Sequence, residues 1–105
     1  MEGRVERRGP RYPFVANLEL LDLQSGVHLQ GRITVLSLYG CGIAAIKPFS
    51  AGTRVRVGIA YEGATFGAIG RIAYSTSDGG MGIVFVQIEQ GDQTLLEKWI
   101  SELRG

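Results

Sequence analysis

The apolar residues of this chain change period once, close to its end, and that change limits what the chain can fold into. In "GDQTLLEKWISELRG", Leu95, Leu96, Trp99, Ile100 and Leu103 fall on one helical face, and Glu97, Lys98, Ser101 and Glu102 fall on the other. Asp92 is the expected N-cap, and Gly105 follows the last turn. Everything between the amino-terminal arm and that helix reads as short strands. Thr53–Tyr61 alternates, with Val55, Val57, Ile59 and Tyr61 on one face and Arg54 and Arg56 on the other. A terminal amphipathic helix must cover an apolar surface, which here is a barrel mouth or a partner.

The strand pattern repeats with regular turns. Phe14–Leu20 starts the first strand, and "DLQSG" (Asp22–Gly26) supplies a turn. His28–Leu36 is the second, with Ile33 and Val35 expected on one face and Arg32 and Thr34 on the other. Cys41–Ile46 is the third, ended by "KPFSAG". "YEGAT" makes a tight hairpin into Phe66–Tyr74, where Gly67 and Gly70 are expected bulge or bend positions. "STSDGG" is a second hairpin signal, leading into Met81–Ile88. The fold class expected is therefore mainly β: a small six-stranded antiparallel barrel with a C-terminal amphipathic helix. Closing the sheet removes its exposed edges.

A chain of 105 residues fits one domain with one modest core. Its 16 glycines are scattered between apolar runs, as expected of short strands, bulges and turns. The formal net charge is +1, so no global field points to nucleic acid or a membrane surface. No apolar run reaches bilayer length, and the charged N-terminus lacks the apolar stretch of a signal peptide, so a cytoplasmic protein without membrane insertion is expected. With a single cysteine, Cys41, no internal disulfide forms.

Little here suggests catalysis. His28 opens a strand and reads as a surface residue. Cys41, between two glycines, reads as a small buried residue. No spacing suggests a metal site. "GAIGRI" lies in strand patterning with no helix after it, so it is no nucleotide fingerprint. The expectation is a protein that is not an enzyme. An OB-like nucleic-acid-binding barrel fits less well, for the strands show no row of exposed aromatics and the net charge is near zero.

Two features remain. Residues 1–13 form a polar arm, expected to be flexible, in which Arg4, Arg7, Arg8 and Arg11 crowd together. Arginine grips phosphate bidentately and also addresses the O6/N7 edge of guanine. Taken alone, such a cluster is a solvated basic tail. The second feature is "TVLSLYGCG" (Thr34–Gly42), where a strand exit brings Ser37 and Gly40 together in what is otherwise an ordinary turn. Tyr39 reads as an exposed turn residue and Trp99 as core.

Arm, strand, serine–glycine turn, barrel and tryptophan-bearing helix, in that order from Glu6 to Leu103, resemble the PilZ domain family. The resemblance implies a split-barrel fold of PilZ type over residues 14–105 and a cyclic di-GMP receptor. The family's R-x-x-x-R motif falls on Arg7 and Arg11 in "RRGPR", with Arg4 and Arg8 a competing register. Its [DN]-x-S-x-x-G motif falls on "VLSLYG", so Ser37 and Gly40 match while Val35 replaces the acidic or amide residue. The implied ligand-binding residues are Arg7, Arg8, Arg11, Ser37 and Gly40. In the family the residue at the position of Val35 accepts hydrogen bonds from a guanine edge. A guanine N–H left shielded against valine costs about 1–3 kcal/mol, roughly one to two orders of magnitude in affinity. Two functions follow as expectations. One is a stand-alone cyclic di-GMP receptor that passes the signal to a protein partner. The other is a PilZ-like domain that no longer binds the nucleotide and serves as a protein-interaction module.

Overall fold

The computed structural model describes residues 10–45 and 47–105. Six strands run β1 Tyr12–Asp22, β2 His28–Leu36, β3 Gly40–Ala44, β4 Arg54–Tyr61, β5 Ala64–Ser75 and β6 Gly80–Ile88, followed by helix α1 Asp92–Arg104. They close into an antiparallel barrel in the order β1-β2-β3-β6-β5-β4. Of the expected third strand, Ile46 lies outside the described residues. β1 begins at Tyr12, two residues before the expected start, so the arm and the barrel meet inside residues 1–13.

Turn chemistry sets the hairpins. Glu62 and Gly63 both have positive φ, 51° and 81°, as a two-residue hairpin that matches strand twist requires. The Asp22 carboxylate accepts from the Gln24 N–H at 2.8 Å and the Ser25 N–H at 3.2 Å. Those bonds hold its carboxyl below the usual range and mark it as a turn residue.

Period-2 faces hold where the ladder is regular. Val55, Val57 and Ile59 are fully buried, and Arg54 and Arg56 are exposed. In β2 the expected faces do not hold. Ile33 pairs with Ile43 but Val35 pairs with Gly42, so Thr34 is an extra residue in the ladder. This bulge moves Leu36 into the core beside Ile33 and turns Val35 to the outer face, half-buried. β5 does the same: Ile72 pairs with Ile83 and Tyr74 with Gly82, which leaves Ala73 extra and Tyr74 outside. Gly70 flanks another register shift, as expected. Gly67 does not, and pairs regularly with Gly58.

The helix covers the barrel mouth. Leu96, Trp99 and Ile100 are buried in the same core as the strands. The Trp99 ring lies 5.6 Å from Phe14, 5.5 Å from Tyr61 and 6.3 Å from Phe66, centre to centre. Asp92 is not the N-cap. Gly91, with φ of 89°, holds that position without a side-chain bond. The Asp92 carboxylate accepts instead from the Gly67 N–H at 2.8 Å, which ties the first turn of the helix to β5. At the other end Gly105, with φ of 86°, donates its N–H to the Glu102 carbonyl.

Trp99→Ala should therefore cost about 3–5 kcal/mol of stability, while Lys98→Ala on the exposed side should change it by less than about 0.5 kcal/mol. Urea unfolding of the two variants beside the native protein checks this.

Candidate functional site

The outer face of β3, β5 and β6 carries a groove of about 780 Å³. That is within the range of small-molecule sites, about 300–1,000 Å³. Two rungs of the ladder make its floor. Gly42 and Gly82 pair across β3 and β6, flanked by Val35 on β2 and Tyr74 on β5. In the next rung Gly40, Val84 and Arg71 follow one another across β3, β6 and β5.

The central glycines have a packing reason. A Cβ on Gly42 would stand 2.7 Å from the Val35 Cγ1, and one on Gly82 would overlap the Tyr74 ring. Val35 and Tyr74 thus lean over bare backbone from opposite sides. A Cβ on Gly40 would overlap the Ile83 carbonyl oxygen, so only glycine allows β3 to approach β6 at that point.

Ser37 is spent on its own turn. Its N–H donates to the Gly40 carbonyl at 2.9 Å. Its hydroxyl donates to the same carbonyl at 3.3 Å and accepts from the Tyr39 N–H at 3.1 Å. The side chain is nearly buried, at 5% exposure. One hydroxyl lone pair is left, so Ser37 can accept one further bond but has no second proton to donate. Tyr39 itself is 52% exposed at the groove's rim. Its carbonyl accepts from the Phe85 N–H at 2.9 Å, which clamps the turn to β6.

Arg11 is exposed and immediately precedes β1, whose Tyr12 pairs with Leu36. It therefore lines the groove beside Ser37 and Gly40. Of the expected binding residues, Arg11, Ser37 and Gly40 come together at one groove; Arg7 and Arg8 lie outside the described residues, as does Arg4. Val35 lines the same groove. Among the described residues the lining holds two arginines, Arg11 and Arg71, and no carboxylate, which suits an anionic ligand.

Arg71 and Tyr74 belong to neither sequence motif. Alternation about Ile72 places Arg71 outward and is readable in "GRIAYS". Tyr74 is not readable, because plain alternation puts it inside with Ile72.

Cys41 lies beneath the groove, buried, and burial pushes its thiol up to about 12. His28 is exposed at the start of β2. Among the described residues no group of histidine, cysteine, aspartate and glutamate is placed to hold a metal ion. No helix among them is long and apolar enough to cross a membrane.

The PilZ domain family model matches residues 6–102. The chain belongs to the PilZ domain family. Solved PilZ structures share the fold. The PilZ domain of CeSA from a cellulose-synthesizing bacterium superposes with a TM-score of 0.73 at 15% identity, covering 92% of this chain and 100% of that one. The PilZ domain of YcgR from Escherichia coli, solved with cyclic di-GMP, superposes with a TM-score of 0.74 at 15% identity, over 90% of this chain and 88% of that one. The Bacillus subtilis inhibitor of motility MotI/DgrA gives 0.72 at 14% identity, over 90% of this chain and 49% of that one. A search of curated proteins finds no match.

Ser37→Ala should cost about 1 kcal/mol and Gly40→Ala about 1–3 kcal/mol, both measured by chemical unfolding. Because the thiolate is the reactive form, Cys41 should resist a thiol reagent at pH 8 in the folded protein and react at once in denaturant.

Proposed function

We propose that this PilZ domain is a cyclic di-GMP receptor, and that the groove between Arg11, the Ser37–Gly40 turn and β5 takes the ligand. The observation that carries the reading is the meeting of Arg11 with Ser37 and Gly40 at one groove that holds no carboxylate among the described residues. The family is one of cyclic di-GMP receptors, and the YcgR domain of the same fold was solved with that ligand.

In the proposed complex, the arm that precedes β1 brings Arg7 and Arg8 over the ligand beside Arg11. Guanidinium groups bind phosphate and the guanine O6/N7 edge. The turn contributes the remaining Ser37 lone pair and the close backbone approach that Gly40 permits. The domain then works without catalysis, as an adaptor: closing the arm's arginines on the ligand changes a surface that a protein partner reads. The proposed setting is the bacterial cytoplasm.

Val35 favours a second reading, a PilZ domain that does not bind the nucleotide and acts through protein contacts alone. Valine at that position offers no acceptor to a guanine N–H.

Calorimetric titration with cyclic di-GMP separates the two. Saturable binding is expected, weakened at least tenfold in Arg7→Ala and in Arg11→Ala. Val35→Asp should tighten binding by about ten- to a hundredfold. No saturation of the native protein at high micromolar ligand would overturn the receptor reading. Binding created by Val35→Asp, where the native protein has none, would establish the second.

A further inference from the structure

The two sequence motifs account for one side of the groove only. Strand order places Arg11, just before β1, and the turn after β2 on one flank. Arg71 and Tyr74 stand on β5, beyond β3 and β6. Gly40, Val84 and Arg71 share a rung, so Arg71 stands two strand spacings from the turn, roughly 10 Å. The groove is therefore bounded by a cation on each side.

The β5 side is charged at a cost to the sheet. Arg71 pairs directly with Arg54 on β4, and both are exposed. Like charges opposite one another in a ladder are destabilising. Among the described residues the one ion pair is Arg56 with Glu89, so no described carboxylate offsets this pair. An anion in the groove would.

Tyr74 is held in advance. Its ring lies over Gly82, where no Cβ would fit, yet the residue remains 49% exposed. A ring backed by bare strand and open on its outer side is a stacking platform that loses little freedom when a base lands on it.

We propose that Arg71 and Tyr74 form a second ligand-binding wall, which neither motif includes. Arg71 takes one phosphate of a cyclic dinucleotide while Arg11 faces the other, and Tyr74 stacks on a purine base. The assignment rests on the receptor reading above. The ligand class follows from the spacing: two phosphodiesters on opposite sides of one compact ring match two arginines on opposite sides of one groove, and each base offers a planar face.

The test is titration calorimetry with cyclic di-GMP on the native chain and on Arg71→Ala, Arg71→Lys, Tyr74→Leu and Tyr74→Phe, each also melted thermally. Leucine keeps cover over Gly82 but removes the aromatic face, and phenylalanine keeps both. Arg71→Ala and Tyr74→Leu should weaken binding about tenfold or more, as loss of a charge-assisted phosphate contact or of a stacked base does. Phenylalanine should bind within about threefold of the native protein, and lysine between native and alanine. Arg71 is exposed, so Arg71→Ala should melt within a few degrees of native even if Tyr74→Leu does not fold. Native binding that Arg71→Ala leaves unchanged, with Tyr74→Leu also unchanged wherever it folds, overturns the second wall and leaves the receptor reading standing. Absence of binding by the native protein overturns both.

Discussion

The outer face of this barrel depends on two extra residues. Thr34 in β2 and Ala73 in β5 each add one position to the ladder without a partner. A strand's side chains alternate, so one added residue reverses everything beyond it. Val35 and Tyr74 leave the core for the surface, and Leu36 enters the core. Without the bulges both would point inward, and the Gly42–Gly82 pair would be an open seam. With them, the seam is walled on both sides and becomes the floor of a groove. The glycines follow from the same geometry, for the two outward side chains lean into the volume that Cβ atoms at Gly42 and Gly82 would fill.

Barrel closure makes this face stiff. β1 pairs with β2 along one edge and with β4 along the other, so the first strand completes the cylinder. It also passes from the groove to the core in a few residues. Arg11 lines the groove, Tyr12 pairs with Leu36, and Phe14 packs on Tyr61 at 4.5 Å and on Trp99. The helix seals the mouth with Trp99 and is fixed to β5 through Asp92 and Gly67. The groove thus sits on a wall whose other side is packed solid, and only its rim, at Arg11 and Tyr39, belongs to turn and arm.

Much of this was legible in the sequence, for physical reasons that also mark where legibility ends. Strict alternation in Thr53–Tyr61 and the 3.6-residue spacing from Leu95 to Leu103 are long, regular signals, and the structure follows them. The hairpin at Glu62 and Gly63 was visible through its glycine, to which positive φ costs nothing, although Glu62 adopts it too. The bulges were not visible, since Thr34 and Ala73 look like any strand residue and their displacement is decided by partners far away in sequence. Plain alternation therefore puts Val35 on the face of Ile33 and Tyr74 inside with Ile72. Asp92 has the residue type of a cap, but the Gly67 N–H across the barrel mouth competes for its carboxylate, and Gly91 supplies the turn. At the groove, Ser37, Gly40 and Arg11 were legible as parts of motifs. That Ser37 is committed to its own turn was not, since the hydroxyl's partners are set by the fold of residues 37–40.

The substitution at Val35 acts on a different quantity from the arginines. Contacts to phosphate hold a nucleotide without reading its bases, whereas hydrogen bonds to base edges distinguish one base from another. In the proposed complex the phosphate contacts of the arginines and the stacking faces remain, and these accept any purine. An acceptor facing the guanine N–H groups does not, because adenine presents a different pattern of donors and acceptors there. Losing that acceptor lowers affinity for guanine and lowers the penalty for the wrong purine together. Arginine contacts to the O6/N7 edge restore part of the distinction, since O6 is an acceptor where adenine carries an amino donor. In that complex, discrimination then rests on whichever guanidinium groups reach the O6/N7 edge, and those groups matter more here than they would beside a carboxylate.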